Sequence, residues 1–105
     1  MFDLFGGMKE AKNPHTNYVT LRELAESKRP KLRAAVAANP NLQTYVMEKM
    51  TADPAEAVRA ALATNPHLSE KVWEKLSGDE SEAVRGSLLE HHPVKPEKVD
   101  ARKQR

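Results

Sequence analysis

Residues 32–40 read LRAAVAANP, and 26 residues later residues 58–66 read VRAALATNP. A third copy, VRGSLLEHHP, begins at Val84, with His91-His92-Pro93 where the others carry Asn-Pro. Recurrence at a fixed period of this size is the mark of a stacked repeat, in which one short unit buries its apolar side only against its neighbours. The columns run through the whole middle of the chain. Leu32, Val58 and Val84 share one, and Val36, Leu62 and Leu88 share the next apolar one. Leu21, Met47 and Trp73, then Leu24, Met50 and Leu76, follow in the intervening stretches. Asn13-Pro14, Asn39-Pro40 and Asn65-Pro66 recur as stop signals.

Apolar positions three or four apart predict two short helices per unit, one over about 30–38, 55–64 and 81–90 and the other over about 44–52 and 70–77. Asn-Pro closes the first kind, because proline drives the residue before it out of the helical region. Pro30 and Pro54 fall at helix starts, where the missing amide is harmless. N-caps are expected at Asn17, Gln43, Ser69 and Lys95. The expected fold is all-α, a small right-handed α-solenoid of two-helix repeats with a 26-residue period. The expected organisation is an N-terminal cap or docking segment (1–12), a helical repeat domain (13–94) and a basic C-terminal segment (95–105).

With only 5% aromatic residues in a chain of 105, the core has to be thin and aliphatic. No cysteine is present, which excludes disulfides, thiolate metal sites and cysteine nucleophiles and suits a reducing compartment. No apolar run approaches the roughly 18 residues of a membrane span. MFDLFGGMKE lacks the basic start and long apolar stretch of a signal peptide, so a cytoplasmic setting is expected. The net charge of +2 conceals an uneven layout. Residues 1–36 carry seven Lys/Arg against four Asp/Glu, residues 53–90 four against eight, and residues 91–105 five against two. Basic ends on an acidic middle do not describe a uniformly basic nucleic-acid binder.

One stretch, DPAEAVRAALATNPHLSEKVWEKLSGD, resembles the leucine-rich repeat variant family, whose short units pair an α-helix with a shorter, often 3₁₀, helix. The likeness covers residues 13–94. Asp53 precedes Arg59 by six and Asp79 precedes Arg85 by six, a spacing similar to that of HEAT repeats. That resemblance implies a structural Asp–Arg ladder between adjacent units through Asp53, Arg59, Asp79 and Arg85. Ser27 stands where the first copy would have its Asp. The cysteines of the family's iron–sulfur member are missing, so no cluster carries over, and neither family implies a common catalytic site.

Other features offer surfaces rather than chemistry. Lys28, Arg29 and Lys31, with Lys95, Lys98, Arg102 and Lys103, would attract phosphate by releasing counterions, but no aromatic is interleaved to stack on bases. Trp73 is expected in the core by its column, or else as an interface anchor. Phe2, Leu4 and Phe5 are expected to cap the open end of the stack. Phe2-Asp3-Leu4-Phe5 also resembles the end of the bacterial sliding-clamp-binding peptide, with Met1 where that peptide has Gln. His15, His67, His91 and His92 show no metal-ligand spacing, and no Ser or Thr sits in a nucleophile motif. The expected function is a non-enzymatic module, free of cofactor and metal, that binds a protein partner through its repeat surface and its terminal segments. Nucleic-acid binding through the basic ends is the alternative, and self-association through open stack ends a further partner expectation.

Overall fold

Helices of seven or eight residues do not survive alone in water, so each helix here exists by virtue of what it packs against. The computed structural model describes residues 6–97, and among them every regular element is an α-helix. The helices are α1 (Met8–Lys12), α2 (Tyr18–Leu24), α3 (Pro30–Ala37), α4 (Thr44–Met50), α5 (Glu56–Ala63), α6 (Glu70–Ser77) and α7 (Glu82–His91). They form two layers. In one, α1 packs on α3, α3 on α5 and α5 on α7; in the other, α4 packs on α6. Between the layers, α2 packs on α1 and α3, α4 on α5, and α6 on α5 and α7.

The repeat columns are the core between these layers. Leu32, Val58, Val84, Val36, Leu62 and Leu88 are buried from the first layer, and Leu21, Met47, Leu24, Met50 and Leu76 from the second. Side chains in adjacent repeats stand over one another, so each apolar stripe is covered on both sides except at the ends of the stack.

Local signals set the helix starts. Asn17 Oδ1 accepts from the Val19 amide at 2.6 Å, and the Ser69 and Ser81 hydroxyls accept from Val72 and Val84 amides, each at 3.2 Å. Gln43 occupies the same place before α4 but caps nothing with its side chain. Lys95 differs from its expected role, because no helix follows it among the described residues. A lysine has no acceptor to offer an orphaned amide, and its ammonium instead reaches Glu70 at 3.4 Å and Glu74 at 2.6 Å on α6.

Helix α1 extends the stack one turn upstream of Asn13-Pro14. It starts from Gly7, whose φ of 96° lies in the left-handed region. A Cβ there would also meet Leu24 at 3.0 Å and Leu32 at 3.1 Å, so both the torsion and the space require glycine.

Candidate interaction surface

Two polar ladders cross the repeats and hold their surface in register. In the first, Arg33 Nε and Nη2 donate to the two carboxylate oxygens of Asp53 at 2.8 and 3.1 Å. Arg59 treats Asp79 the same way at 2.7 and 3.3 Å. The partner is thus the Arg 20 residues earlier, in the preceding repeat. The Arg six residues after each Asp uses its Nη1 on that residue's backbone carbonyl: Arg59 on Asp53 at 2.8 Å, Arg85 on Asp79, and Arg33 on Ser27 at 2.9 Å. Arg33 and Arg59 therefore each tie their own repeat's entry turn to the next repeat. The turn itself is tightened by Asp Oδ1, which accepts from the Ala55 or Ser81 amide two residues on.

This geometry explains Ser27. A carboxylate at that position would look for an arginine 20 residues earlier, and that residue is Gly7. Ser27 keeps the two other duties, accepting from the Arg29 amide through its hydroxyl at 3.1 Å and from Arg33 through its carbonyl.

The pairs are largely withdrawn from water, with side-chain exposures of 14% and 8% for Arg33 and Asp53 and 11% and 6% for Arg59 and Asp79. Burial pushes both carboxyl groups up, but the Arg hydrogen bonds and the turn amides outweigh it and hold Asp53 and Asp79 below the ordinary carboxylate value. The same hydrogen bonds raise the guanidinium groups of Arg33 and Arg59 against the effect of burial. Depressed carboxyl groups mean that the unfolded chain binds protons more readily than the folded one. Their contribution to stability is therefore whole above the unfolded value of about 3.9 and is lost as pH falls through the depressed native values. Urea unfolding at pH 7 and pH 3 should show this loss. Asp53→Asn/Asp79→Asn should be less stable at pH 7, with a shallower fall towards pH 3.

The second ladder is made of asparagine. Asn39 and Asn65 are buried at 3% and 0% exposure. Asn65 Nδ2 donates to Ala37 O at 2.8 Å and Asn39 O at 2.9 Å; Asn39 Nδ2 donates to Ala11 O at 2.7 Å and Asn13 O at 2.9 Å. The last carbonyls of any helix have no partner within it, and here each amide caps the helix of the preceding repeat. Asn13, Asn39 and Asn65 Oδ1 each accept from the amide two residues on. In the last repeat His92 takes over, its Nε2 lying 2.8 Å from Asn65 O. A carbonyl can only accept, so Nε2 carries the proton.

The exposed side of the first layer is made of short side chains. Columns three and four apart share a helix face, and the outward columns hold Lys31, Ala34 and Ala38 on α3, Ala57, Ala60 and Thr64 on α5, and Ala83, Gly86 and Glu90 on α7. All nine are exposed or half-buried. This face is smooth, with Lys31 at one corner and Glu90 at the opposite one.

The remaining sequence-predicted residues are scattered over the molecule. Lys28, Arg29 and Lys31 are exposed around the start of α3, and Arg29 Nη2 donates to Gly6 O at 3.0 Å. Lys95 lies against α6, where hydrogen bonding to Glu74 first and then Glu70 raises its pKa. Trp73 is half-buried against the core, and its Nε1 donates to His92 O at 3.0 Å, fastening the segment after α7 to α6. Phe2, Leu4, Phe5, Lys98, Arg102 and Lys103 lie outside the described residues. Among the described residues no group of three or more acidic or histidine side chains could hold a metal ion. No helix there is long and apolar enough to cross a membrane.

Comparison with known proteins adds one match. The model of the Leucine Rich Repeat Variant domain fits residues 8–66, which take in α1 to α5 and the asparagine caps that end the first-layer helices. No curated protein and no solved structure matches the chain. More than half of the chain lies within the family match, and α6 and α7 repeat the same columns beyond it. The chain belongs to the leucine-rich repeat variant family.

Proposed function

We propose that this protein is a non-enzymatic interaction module that binds a protein partner across the outward face of α3, α5 and α7. The observation that carries this reading is the nine-position face itself, on which seven positions are Ala, Gly or Thr. Short side chains let a partner approach the helices closely and leave little rotamer entropy to be lost on binding. Lys31 and Glu90 at opposite corners orient the partner by charge. Two hydroxyl and two imidazole groups in and around α7 are engaged in structure. Ser81 Oγ donates to Glu56, Ser87 Oγ to Ala60 O at 3.1 Å, and the His91 and His92 rings face the carbonyls of Ser87 and Asn65. A cytoplasmic setting suits the cysteine-free composition.

Tagged protein and its Ala57→Arg/Ala83→Arg variant should be compared on nuclease-treated lysate. Both substituted positions are exposed, so the variant should keep the parent's circular dichroism and melt. A stoichiometric protein held by the parent and lost by the variant is the expected result. Equal retention by both removes the outward face as the binding surface. Recovery only without nuclease would replace this reading with nucleic-acid binding.

A further inference from the structure

Ser27 stands in the column of Asp53 and Asp79 and already does part of their work. Its hydroxyl accepts from the Arg29 amide at 3.1 Å, as the two carboxylates accept from Ala55 and Ser81 at 2.9 and 2.8 Å. Its carbonyl takes Arg33 Nη1, as theirs take Arg59 and Arg85. The turn has the form of an acidic turn and carries a neutral side chain.

What it lacks is charge. In the two complete copies the charge of Arg59 acts on Asp53 and that of Arg85 on Asp79. Arg33 stands in the same relation to Ser27 and meets no anion there. More cations crowd this turn. Lys28, Arg29 and Lys31 follow within four residues, all exposed. On its other side Ser27 borders a groove of about 570 Å³ between α2 and α4, which Arg22 and Lys49 also line. The acids on that groove are Glu23, Glu26 and Asp53, the last already clasped by Arg33. Positive charge therefore prevails around the hydroxyl.

Ser27 is also open to chemistry. It lies in the non-helical stretch between α2 and α3, with exposed Glu26 and Lys28 on either side. The hydroxyls of Ser77, Ser81 and Ser87 donate to Glu74 O, Glu56 and Ala60 O. That of Ser27 only accepts among the described residues, so its proton is uncommitted.

We propose that Ser27 is a phosphorylation site, at which a protein kinase supplies the anion that the first repeat lacks. Ser27 Oγ forms a bond to the γ-phosphorus of a nucleoside triphosphate as the bond from that phosphorus to the β–γ bridging oxygen breaks. The nucleoside diphosphate leaves with the electron pair, and the hydroxyl proton passes to the kinase's base and on to water. The product carries about −1.5 to −2 charges at pH 7 and three acceptor oxygens. A carboxylate at this position would miss the arginine that Gly7 replaces, whereas a phosphate is met by the cations of its own repeat. Basic residues directly after the serine call for a kinase whose substrate cleft is acidic.

The full chain incubated with lysate of the native host, magnesium and ATP labelled in its γ-phosphate tests the site. Label should enter at Ser27, located by fragment masses, and be absent from that position in Ser27→Ala, whose circular dichroism should match the parent's. The full chain synthesised with phosphoserine at position 27 gives a second readout. It should melt about 2–6 °C above the parent at low salt, with the gain shrinking as salt rises and smaller in Lys28→Gln/Lys31→Gln. An exposed, unengaged phosphate would leave the melting temperature unmoved by either change. No label, label only at other residues, or a phosphorylated chain that melts at or below the parent's temperature overturns the proposal.

Discussion

Leu62→Ala should lower the free energy of unfolding by about 2–5 kcal/mol, the range for deleting a buried leucine whose site cannot collapse. Leu62 is fully buried on α5, the middle helix of the first layer, which packs on α3 and α7 and on both α4 and α6. The neighbours are poorly placed to fill the space. Arg33, Arg59, Asn39 and Asn65 fix the backbone of adjacent repeats in register, so closing the cavity means breaking polar contacts that are themselves buried. A domain whose total stability is of order 5–15 kcal/mol is left marginal by such a loss. Leu88→Ala should cost less than Leu62→Ala, because among the described residues α7 has a first-layer neighbour on one side only. Leu89→Ala, one residue further on but 55% exposed, should leave the stability within about 0.5 kcal/mol of the parent. Urea denaturation of the three variants checks the series. A Leu62→Ala midpoint close to the parent's would mean that the apolar columns do not form the core.

The helices were legible because their signals are local. Apolar spacing, Pro30, the Asn-Pro pairs and Ser69 place α3 to α7 within a residue or two of where they are found: 70–77 against Glu70–Ser77, 55–64 against Glu56–Ala63, and 44–52 against Thr44–Met50. Helix α1 was not legible, since five residues are too few to show a period and its start depends on a glycine at positive φ. The N-cap expected at Lys95 had only its column to support it, and the side chain followed its charge to α6.

The polar ladders were half legible for a related reason. Asp and Arg six apart are visible in sequence, yet that pair meets through a backbone carbonyl. The carboxylate contact spans 20 residues and exists only once the repeats are stacked. Asparagine before each proline reads locally as a helix stop, and it is one. Its second duty lies 26 and 28 residues away, on carbonyls of the preceding repeat. The available signal was the constancy of asparagine at Asn13, Asn39 and Asn65, where a stop alone would accept many residues. Trp73 followed its column only in part: Leu21 and Met47 are buried, whereas the larger indole stays half-exposed and uses its N–H on the segment that follows α7.

The second large effect is expected at Asn65. Asn65→Ala removes two hydrogen bonds to buried carbonyls, Ala37 O and Asn39 O, and the acceptor for the His67 amide. Asn39 O keeps the Leu42 amide, but Ala37 O loses its donor. An unsatisfied buried polar group costs about 1–3 kcal/mol, so with the lost bonds the variant should be less stable by about 2–3 kcal/mol. Water cannot readily repair the site, because Asn65 has no exposed surface. Asn39→Ala should cost nearly as much, since Asn39 donates to two carbonyls in the same way at 3% exposure, although α1 is short and lies at the end of the stack. Asn13 is exposed and its side chain has only the bond from the His15 amide, so Asn13→Ala should fall within about 0.5 kcal/mol of the parent. Asn65→Asp separates the donor from the shape: it keeps an acceptor for His67 but turns a carboxylate towards two carbonyls. It should be at least as damaging as alanine at pH 7 and recover in part as acid protonates it. Hydrogen exchange would locate the damage, with amides at the C-terminal end of α3 losing protection in Asn65→Ala. Equal stability losses for Asn13→Ala and Asn65→Ala would show that the asparagines act only as local stops.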